Sequence, residues 1–179
     1  GIFQVYNVVD DDESDGIRVG GTGSTSVKIE KAKLIDAKTM LNLQRSAFEK
    51  YSIKYGKFDA DPCNMTLHRM EFNIKYRLGD YQKIILDGEV IGGIFGFMLE
   101  DEATWKVAQF YIKPEFESLG YGSKAFQMFL DSHPDVKIWY ADTIKQEEQN
   151  LRFYQKFGFD IIDEEEEHDG LSFVTLIKK

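Results

Sequence analysis

FYIKPEFESLGYGSKAF, residues 110–126, decides the fold. It opens as an apolar, β-rich run, passes Pro114, and reaches Gly120 and Gly122 just before the amphipathic run SKAFQMFLDSHP. The order strand, glycine-bearing loop, helix sets both glycines at the mouth of a helix. The amides that open a helix have no partner inside it and carry the positive end of the macrodipole, an arrangement that holds phosphate. Glycine removes a Cβ, so backbone can approach anionic oxygens and take up unusual dihedrals. Lys124 adds a positive charge. Taken alone, the stretch leaves two readings open, a pyrophosphate cradle and a loop softened by glycine. It is not a P-loop, because no Gly-Lys-Ser/Thr follows. A full Gly-x-Gly-x-x-Gly is absent, since position 125 is Ala, and the preceding antiparallel hairpin argues against a dinucleotide-binding unit.

Working outward, VKIEKA alternates and reads as a strand. DAKTMLNLQRSAFEKYSIKY has apolar residues at helical spacing, with Asp36 as its expected cap. FDADPCN reads as a loop and MTLHRMEFNIKYRLG as a second helix. YQKIILDGEVIGGIFGFML is a hairpin turning on Asp87-Gly88. ATWKVAQFYI is a strand, SKAFQMFLDSHP a helix stopped before Pro134, VKIWYAD a strand, and KQEEQNLRFYQKFGF a helix ended by Gly158. DIIDEEEE and LSFVTLIKK close the chain as a hairpin, with DEEEE read as its solvated end rather than a cation site. The predicted class is α+β: a mixed, mainly antiparallel twisted sheet of about seven strands flanked by about four helices.

Residues 1–27 differ from the rest. Asp10, Asp11, Asp12, Glu13 and Asp15 face one cation, Arg18, and VGGTGSTS follows. They read as an acidic N-terminal extension with a Gly/Ser linker; GGTGS lacks the ending and the helix of a phosphate loop. Residues 28–179 read as one domain, within the size a single core supports.

The net charge of −9 disfavours nucleic acid as a partner, because phosphate binding needs clustered cations. It is compatible with a cationic small substrate. No run approaches the length of a membrane helix, and GIFQVYNVVDDDESDG lacks the basic flank and long apolar core of a signal peptide. The expectation is a cytoplasmic protein with no membrane partner. The single cysteine, Cys63, excludes an internal disulfide. It has no Cys or His at metal spacing, and His68, His133 and His168 are separated, so no metal is expected.

At this point FYIKPEFESLGYGSKAF resembles the acetyl-CoA motif of the GNAT N-acetyltransferase superfamily: an apolar strand end, a proline, then Gln/Arg-x-x-Gly-x-Gly/Ala. Ile112, Pro114, Gly120 and Gly122 match, and Glu117 departs from the usual Gln or Arg. EEQNLRFYQKFGF is similar to the family's second motif, Asn-x-x-Ala-x-x-Phe-Tyr-x-x-x-Gly-Phe. Phe153, Tyr154, Gly158 and Phe159 match, while Glu147 replaces Asn and Asn150 replaces Ala. The resemblance covers about residues 28–179.

The resemblance implies acetyl-CoA as cosubstrate and direct transfer of its acetyl group to an amine. It implies that Phe110, Tyr111 and Ile112 pair with the pantetheine like an added strand, with the Ile112 N–H directed at the thioester carbonyl. The cofactor would also be held by Glu117, Ser118, Leu119, Gly120, Tyr121, Gly122, Ser123 and Lys124, and by Glu147 and Asn150. Tyr154 takes the family's general-acid position. No relative's strand carboxylate stands in TWKVAQFYI, where Gln109 is the neutral polar residue near the centre. Glu49, Tyr55, His68, Glu71 and Gln109 are the acceptor-side candidates, and no base is singled out. Aromatics among carboxylates suit a cation with an apolar body, so a small-molecule amine is expected. A non-catalytic acyl-CoA-binding module and a protein or peptide N-acetyltransferase are the alternatives. A homodimer is open, with LSFVTLIKK exchanged or paired.

Overall fold

A computed structural model describes residues 26–179. The acidic segment and most of its linker lie outside the described residues. The elements are β1 (Val27–Lys31), α1 (Ala37–Tyr55), α2 (Leu67–Lys75), β2 (Gly79–Leu86), β3 (Glu89–Met98), β4 (Thr104–Ile112), α3 (Tyr121–Asp131), β5 (Ile138–Ile144), α4 (Glu148–Lys156), β6 (Asp160–His168) and β7 (Leu171–Lys178). The strands form one sheet in the order β1-β2-β3-β4-β5-β7-β6. All neighbours are antiparallel except β4 and β5, which run parallel. The α+β expectation of a mixed, mainly antiparallel sheet with four helices holds.

Two apolar layers cover the sheet. On one face, Phe126 and Phe129 of α3 and Phe153 and Tyr154 of α4 pack on Val107, Phe110 and Ile112 of β4. On the other, Met40, Leu41, Ala47, Phe48 and Tyr51 of α1 and Met70 and Ile74 of α2 pack on Tyr81, Phe95, Ala108 and Tyr111. The alternation of strand side chains lets β4 serve both layers.

Local chemistry sets the boundaries. The β2–β3 turn puts Asp87 at φ 47° and Gly88 at φ 89°, the left-handed pair that a two-residue hairpin requires. Thr66 caps α2, its Oγ1 accepting from Arg69 N at 3.1 Å. Asp36 stands at the N-cap position of α1, as expected, but its side chain makes no cap bond to that helix. It ends a short 3-10 turn, Leu34–Asp36, and its carboxylate accepts from Lys33 N at 2.8 Å instead. The DEEEE run is the exposed, turn-proximal end of β6 in the β6–β7 hairpin, as expected, and it lies along the edge of the sheet. Charge on an edge strand discourages pairing with another chain. The last strand, β7, lies between β5 and β6 with both edges paired, so a second copy could not add to it without displacing one of them.

The β3–β4 ladder carries an irregularity near the middle of the sheet. Phe95 pairs with Gln109 but Gly96 with Val107, which makes Ala108 an extra residue in β4. Such a bulge bends the strand and increases its twist.

Candidate functional site

β4 and β5 pair only from Thr104↔Ile138 to Val107↔Ala141. From the Ala108 bulge onward they part, and Ala108–Ile112 keep β3 on one edge only. Lys113 N–H donates to Ile91 O at 2.7 Å. Backbone groups alternate along an antiparallel ladder, so Tyr111 faces β3 while the amides of Phe110 and Ile112 face the opening. Two glycines of β3 let β4 lie close: a Cβ on Gly92 would sit 2.2 Å from Tyr111 O, and one on Gly93 would sit 2.6 Å from the Tyr111 hydroxyl. The Phe110 and Ile112 side chains enter the α3–α4 layer. Tyr111 enters the α1–α2 layer, where its hydroxyl lies 2.6 Å from that of Tyr81.

The loop after β4 passes through a 3-10 turn, Pro114–Phe116. Ser118 follows at φ 60° and Gly120 at φ 89°. Gly120 is the N-cap of α3 in a left-handed conformation, which costs other residues about 1–2 kcal/mol. Gly122 is buried in the first helical turn. The first bond back along the helix is Lys124 N–H to Gly120 O at 3.3 Å. The amide of Lys124 is therefore committed, and its exposed ammonium is what it offers an anion. Leu119 is exposed, Tyr121 packs edge-on against Phe116, and the Ser123 hydroxyl accepts from Lys156 Nζ at 3.0 Å.

The two acidic departures each meet α1. Lys50 Nζ donates to both oxygens of Glu117 at 2.7 Å. One turn on, Lys54 Nζ donates to Glu147 at 2.8 Å, and the Tyr55 hydroxyl donates to the same Glu147 oxygen. Burial, then Glu147, pushes the Tyr55 phenol up to about 12. Glu147 is the N-cap residue of α4 but makes no side-chain cap bond. Asn150 is buried beneath it and donates to the Tyr51 hydroxyl at 3.3 Å. The α1 helix thus touches both lips of the parted strands.

Tyr154 is fully buried among Phe126, Phe153 and Phe159, ring centroids 5.3–5.9 Å away. Its hydroxyl has no hydrogen-bond partner. An unmet buried hydroxyl costs about 1–3 kcal/mol, so it marks a place where a partner belongs. Burial, then the charge of Asp142 and then Tyr51, holds its phenol well above the ordinary tyrosine range. Asp142 is the first β5 residue beyond Ala141, where pairing with β4 ends. Its carboxylate accepts from Lys106 Nζ at 2.7 Å and from the Thr175 hydroxyl at 2.9 Å.

A cavity of about 490 Å³ opens beside β4 on the α1–α2 side. Gln109 reaches it from the strand, and Asp59, Asp61, Met65 and Arg69 line it from the α1–α2 connection and α2. Gln109 is buried and its Oε1 has no partner. Asp61 is buried too, accepting from Cys63 N at 2.9 Å and Ser52 Oγ at 2.5 Å. Glu167 of the last hairpin closes the rim by accepting from Asp59 N at 3.1 Å.

Of the acceptor-side candidates from the sequence, only Gln109 lines this cavity. Glu49 and His68 are exposed on their helices, Glu71 is half-buried, and Tyr55 belongs to the Glu147 cluster. Sequence reasoning missed Lys50 and Asp142. The doublet Lys50-Tyr51 recurs one helical turn later as Lys54-Tyr55, a signal that these residues share a face. Nothing local marks Asp142, because its position depends on where two strands part.

These residues fit a thioester cofactor entering between β4 and β5: a left-handed glycine opens a helix at one end, and an unpartnered phenol waits at the other. The chain matches the sequence profile of the acetyltransferase (GNAT) family over residues 39–159. It is 31% identical over 86 residues to YrkN of Bacillus subtilis (strain 168), described as an uncharacterized protein. That match takes in 48% of this chain and 46% of the other, so the chain spans about half the length of the curated relative it matches. Its fold is similar to that of the ribosomal-protein-S18-alanine N-acetyltransferase from Escherichia coli, with a TM-score of 0.70, 10% identity, and coverage of 86% of this chain and 93% of that one. It is also similar to the PaiA N-acetyltransferase from Thermoplasma acidophilum in complex with coenzyme A (TM-score 0.67, 17% identity, 86% and 99% covered). An aminoglycoside 6'-acetyltransferase type Ii gives 0.64 at 13% identity, covering 85% and 96%. At these identities the likeness shows the fold. The chain belongs to the acetyltransferase (GNAT) family, an acyltransferase fold that uses acetyl-CoA.

Proposed function

We propose that the protein transfers the acetyl group of acetyl-CoA directly to a primary amine carried by a cationic small molecule. The observation that carries the reading is the pairing of two unmet buried polar atoms, one on each side of β4. The Tyr154 hydroxyl lies in the α3–α4 layer, and Gln109 Oε1 lies beside the cavity on the α1–α2 side.

Bound acetyl-CoA supplies an activated acetyl group as a thioester. On this reading Phe110 to Ile112 hold the pantetheine by backbone pairing, as a strand added to an edge. The Ile112 amide is aimed where the carbonyl oxygen gains charge; one such donor is worth about 3–4 kcal/mol. The loop from Ser118 to Ser123 and the Lys124 ammonium hold the diphosphate. Tyr154 donates its O–H to the departing sulfur. A thiol near pKa ~8.5 meets a phenol held above ~10, so full proton transfer is uphill, and a hydrogen bond is the main contribution.

On the acceptor side, an ammonium of pKa ~10.4 costs about 4–5 kcal/mol to neutralise at pH 7. Gln109 Oε1 accepts one N–H of the amine and fixes its direction. Asp142, at the point where the strands part, adds negative charge beside the opening, with Lys106 and Thr175 holding its oxygens, and the proton leaves to solvent. The charge of the cavity supports a cation in part: Asp59 and Asp61 outnumber Arg69, whose guanidinium lies 4.8 Å from the Phe72 ring.

The test is thiol release from acetyl-CoA with polyamines, aminoglycosides, amino acids and peptides as acceptors. Amine-dependent release with small cations supports the reading. Release with peptides alone would replace the acceptor class. Tight CoA binding with no release on any acceptor would favour a non-catalytic acyl-CoA-binding module.

A further inference from the structure

Glu117 presents a conflict. It immediately precedes the loop that would receive a diphosphate, and a carboxylate there repels an anion. The structure answers it with Lys50, a residue 67 positions earlier, whose ammonium donates to both Glu117 oxygens at 2.7 Å. The side chain of Glu117 is 17% exposed and that of Lys50 is 43% exposed, so the pair sits at the surface with the cation on the open side. An ammonium has three donors, and Glu117 takes two of them. The Lys50 ammonium also lies 5.3 Å from the Tyr51 ring, which limits where it can swing. The neighbouring pair Lys54–Glu147 fixes the next turn of α1 to the opposite lip. Lys50 is thereby delivered to the loop by a helix held at two points.

We propose that Lys50 binds the diphosphate of the cofactor, and that Glu117 is a positioning residue that holds Lys50 at the loop. The proposal rests on reading Ser118–Lys124 as the diphosphate site. It assigns the positive charge at the mouth of the loop to α1. When a diphosphate arrives, the Lys50 ammonium bridges Glu117 and a phosphate oxygen, which turns the carboxylate from a repelling charge into an anchor. Charge-assisted hydrogen bonds of this kind are short and strong.

The sign of one substitution separates this from a surface ion pair that merely braces α1. If Glu117 only repels or braces, Glu117→Gln leaves CoA affinity unchanged or raises it. If Glu117 positions Lys50, the same change lowers it. Calorimetry would compare CoA with pantetheine, which lacks the diphosphate, on the full chain. Lys50→Ala is expected to weaken CoA about tenfold and leave pantetheine unchanged, with Lys50→Arg retaining most of the affinity. Lys54→Ala removes the equivalent ion pair on the other lip and should leave the CoA-to-pantetheine ratio as it was. Unchanged CoA affinity in Lys50→Ala, with the wild type binding normally, would overturn the proposal while leaving the loop reading in place. Unchanged or tighter CoA binding by Glu117→Gln would overturn the positioning role. A wild type that binds pantetheine and CoA equally well would overturn the loop reading and this proposal with it.

Discussion

Tyr51 on α1 and Asn150 on α4 meet across the parting of β4 and β5, the Asn150 amide donating to the Tyr51 hydroxyl at 3.3 Å. Both are buried, so the contact is asymmetric to mutation. Asn150→Ala strands a buried hydroxyl and should cost about 1–3 kcal/mol, while Tyr51→Phe leaves the Asn150 amide the Thr143 hydroxyl as a second acceptor and should cost about 0.5–1.5 kcal/mol. Urea unfolding of the two variants checks the order.

Tyr154→Phe should separate stability from activity. The hydroxyl has no partner in the folded chain, so its removal should leave the melting temperature unchanged or raise it. Thiol release should fall about 10²-fold, the lower end of what a placed proton donor contributes. A parallel loss of stability and activity would mean that the hydroxyl is an ordinary structural group.

Gly120→Ala places a side chain at φ 89°. The strain is about 1–2 kcal/mol, and a distorted helix start should also weaken CoA binding. Thermal melting and calorimetry read the two effects. Retained CoA affinity would remove the loop amides from the site.

Gln109→Leu should raise KM for the acceptor with little change in KM for acetyl-CoA. The unmet Oε1 disappears, so stability should hold or rise. An equal rise in both Michaelis constants would contradict an acceptor-side role for Gln109.

Alkaline titration should show tyrosines in two groups. Burial pushes the phenols of Tyr51, Tyr81, Tyr111 and Tyr154 above the ordinary value. A phenol that is neutral when protonated and has a raised folded value favours the unfolded chain once pH passes ~10, because only the unfolded chain then releases the proton freely. The contribution of these phenols should therefore be level below pH ~10 and fall above it. Phenolate absorbance from these residues should appear together with unfolding, not before it. A smooth titration of all tyrosines near pH ~10 would show that the buried layer opens freely.

Much of this was legible in the chain. The Asp87-Gly88 turn, the element order and the glycines at 120 and 122 are local signals; the second helix, read to Gly79, ends at Lys75, and Gly79 opens β2. Asp36 was placed correctly at the start of α1, but its carboxylate is taken by the preceding 3-10 turn, which the sequence did not show. The acidic run was legible as the solvated end of the last hairpin, but charge alone did not say that this hairpin strand forms the edge of the sheet. At the site, motif residues were readable but their compensations were not. Glu117 and Glu147 looked like isolated defects in sequence, and only the packing of α1 showed that Lys50 and Lys54 answer them. Asp142 required knowing where two parallel strands stop pairing.

The Ala108 bulge has a consequence for how the opening is kept. Ala108 and Gln109 both point to the α1–α2 side, so β4 before and after them keeps its alternation: Val107 and Phe110 share one layer, Ala108 and Tyr111 the other. Deleting Ala108 would not exchange the faces of the strand. It would straighten β4 and let it continue alongside β5, closing the slot by ladder formation while the hydrophobic pattern stayed intact. On the proposed function, the access route through the sheet is encoded as a mismatch in chain length, one surplus residue in β4, and a shortened protein could fold well and yet have nowhere for a cofactor to enter.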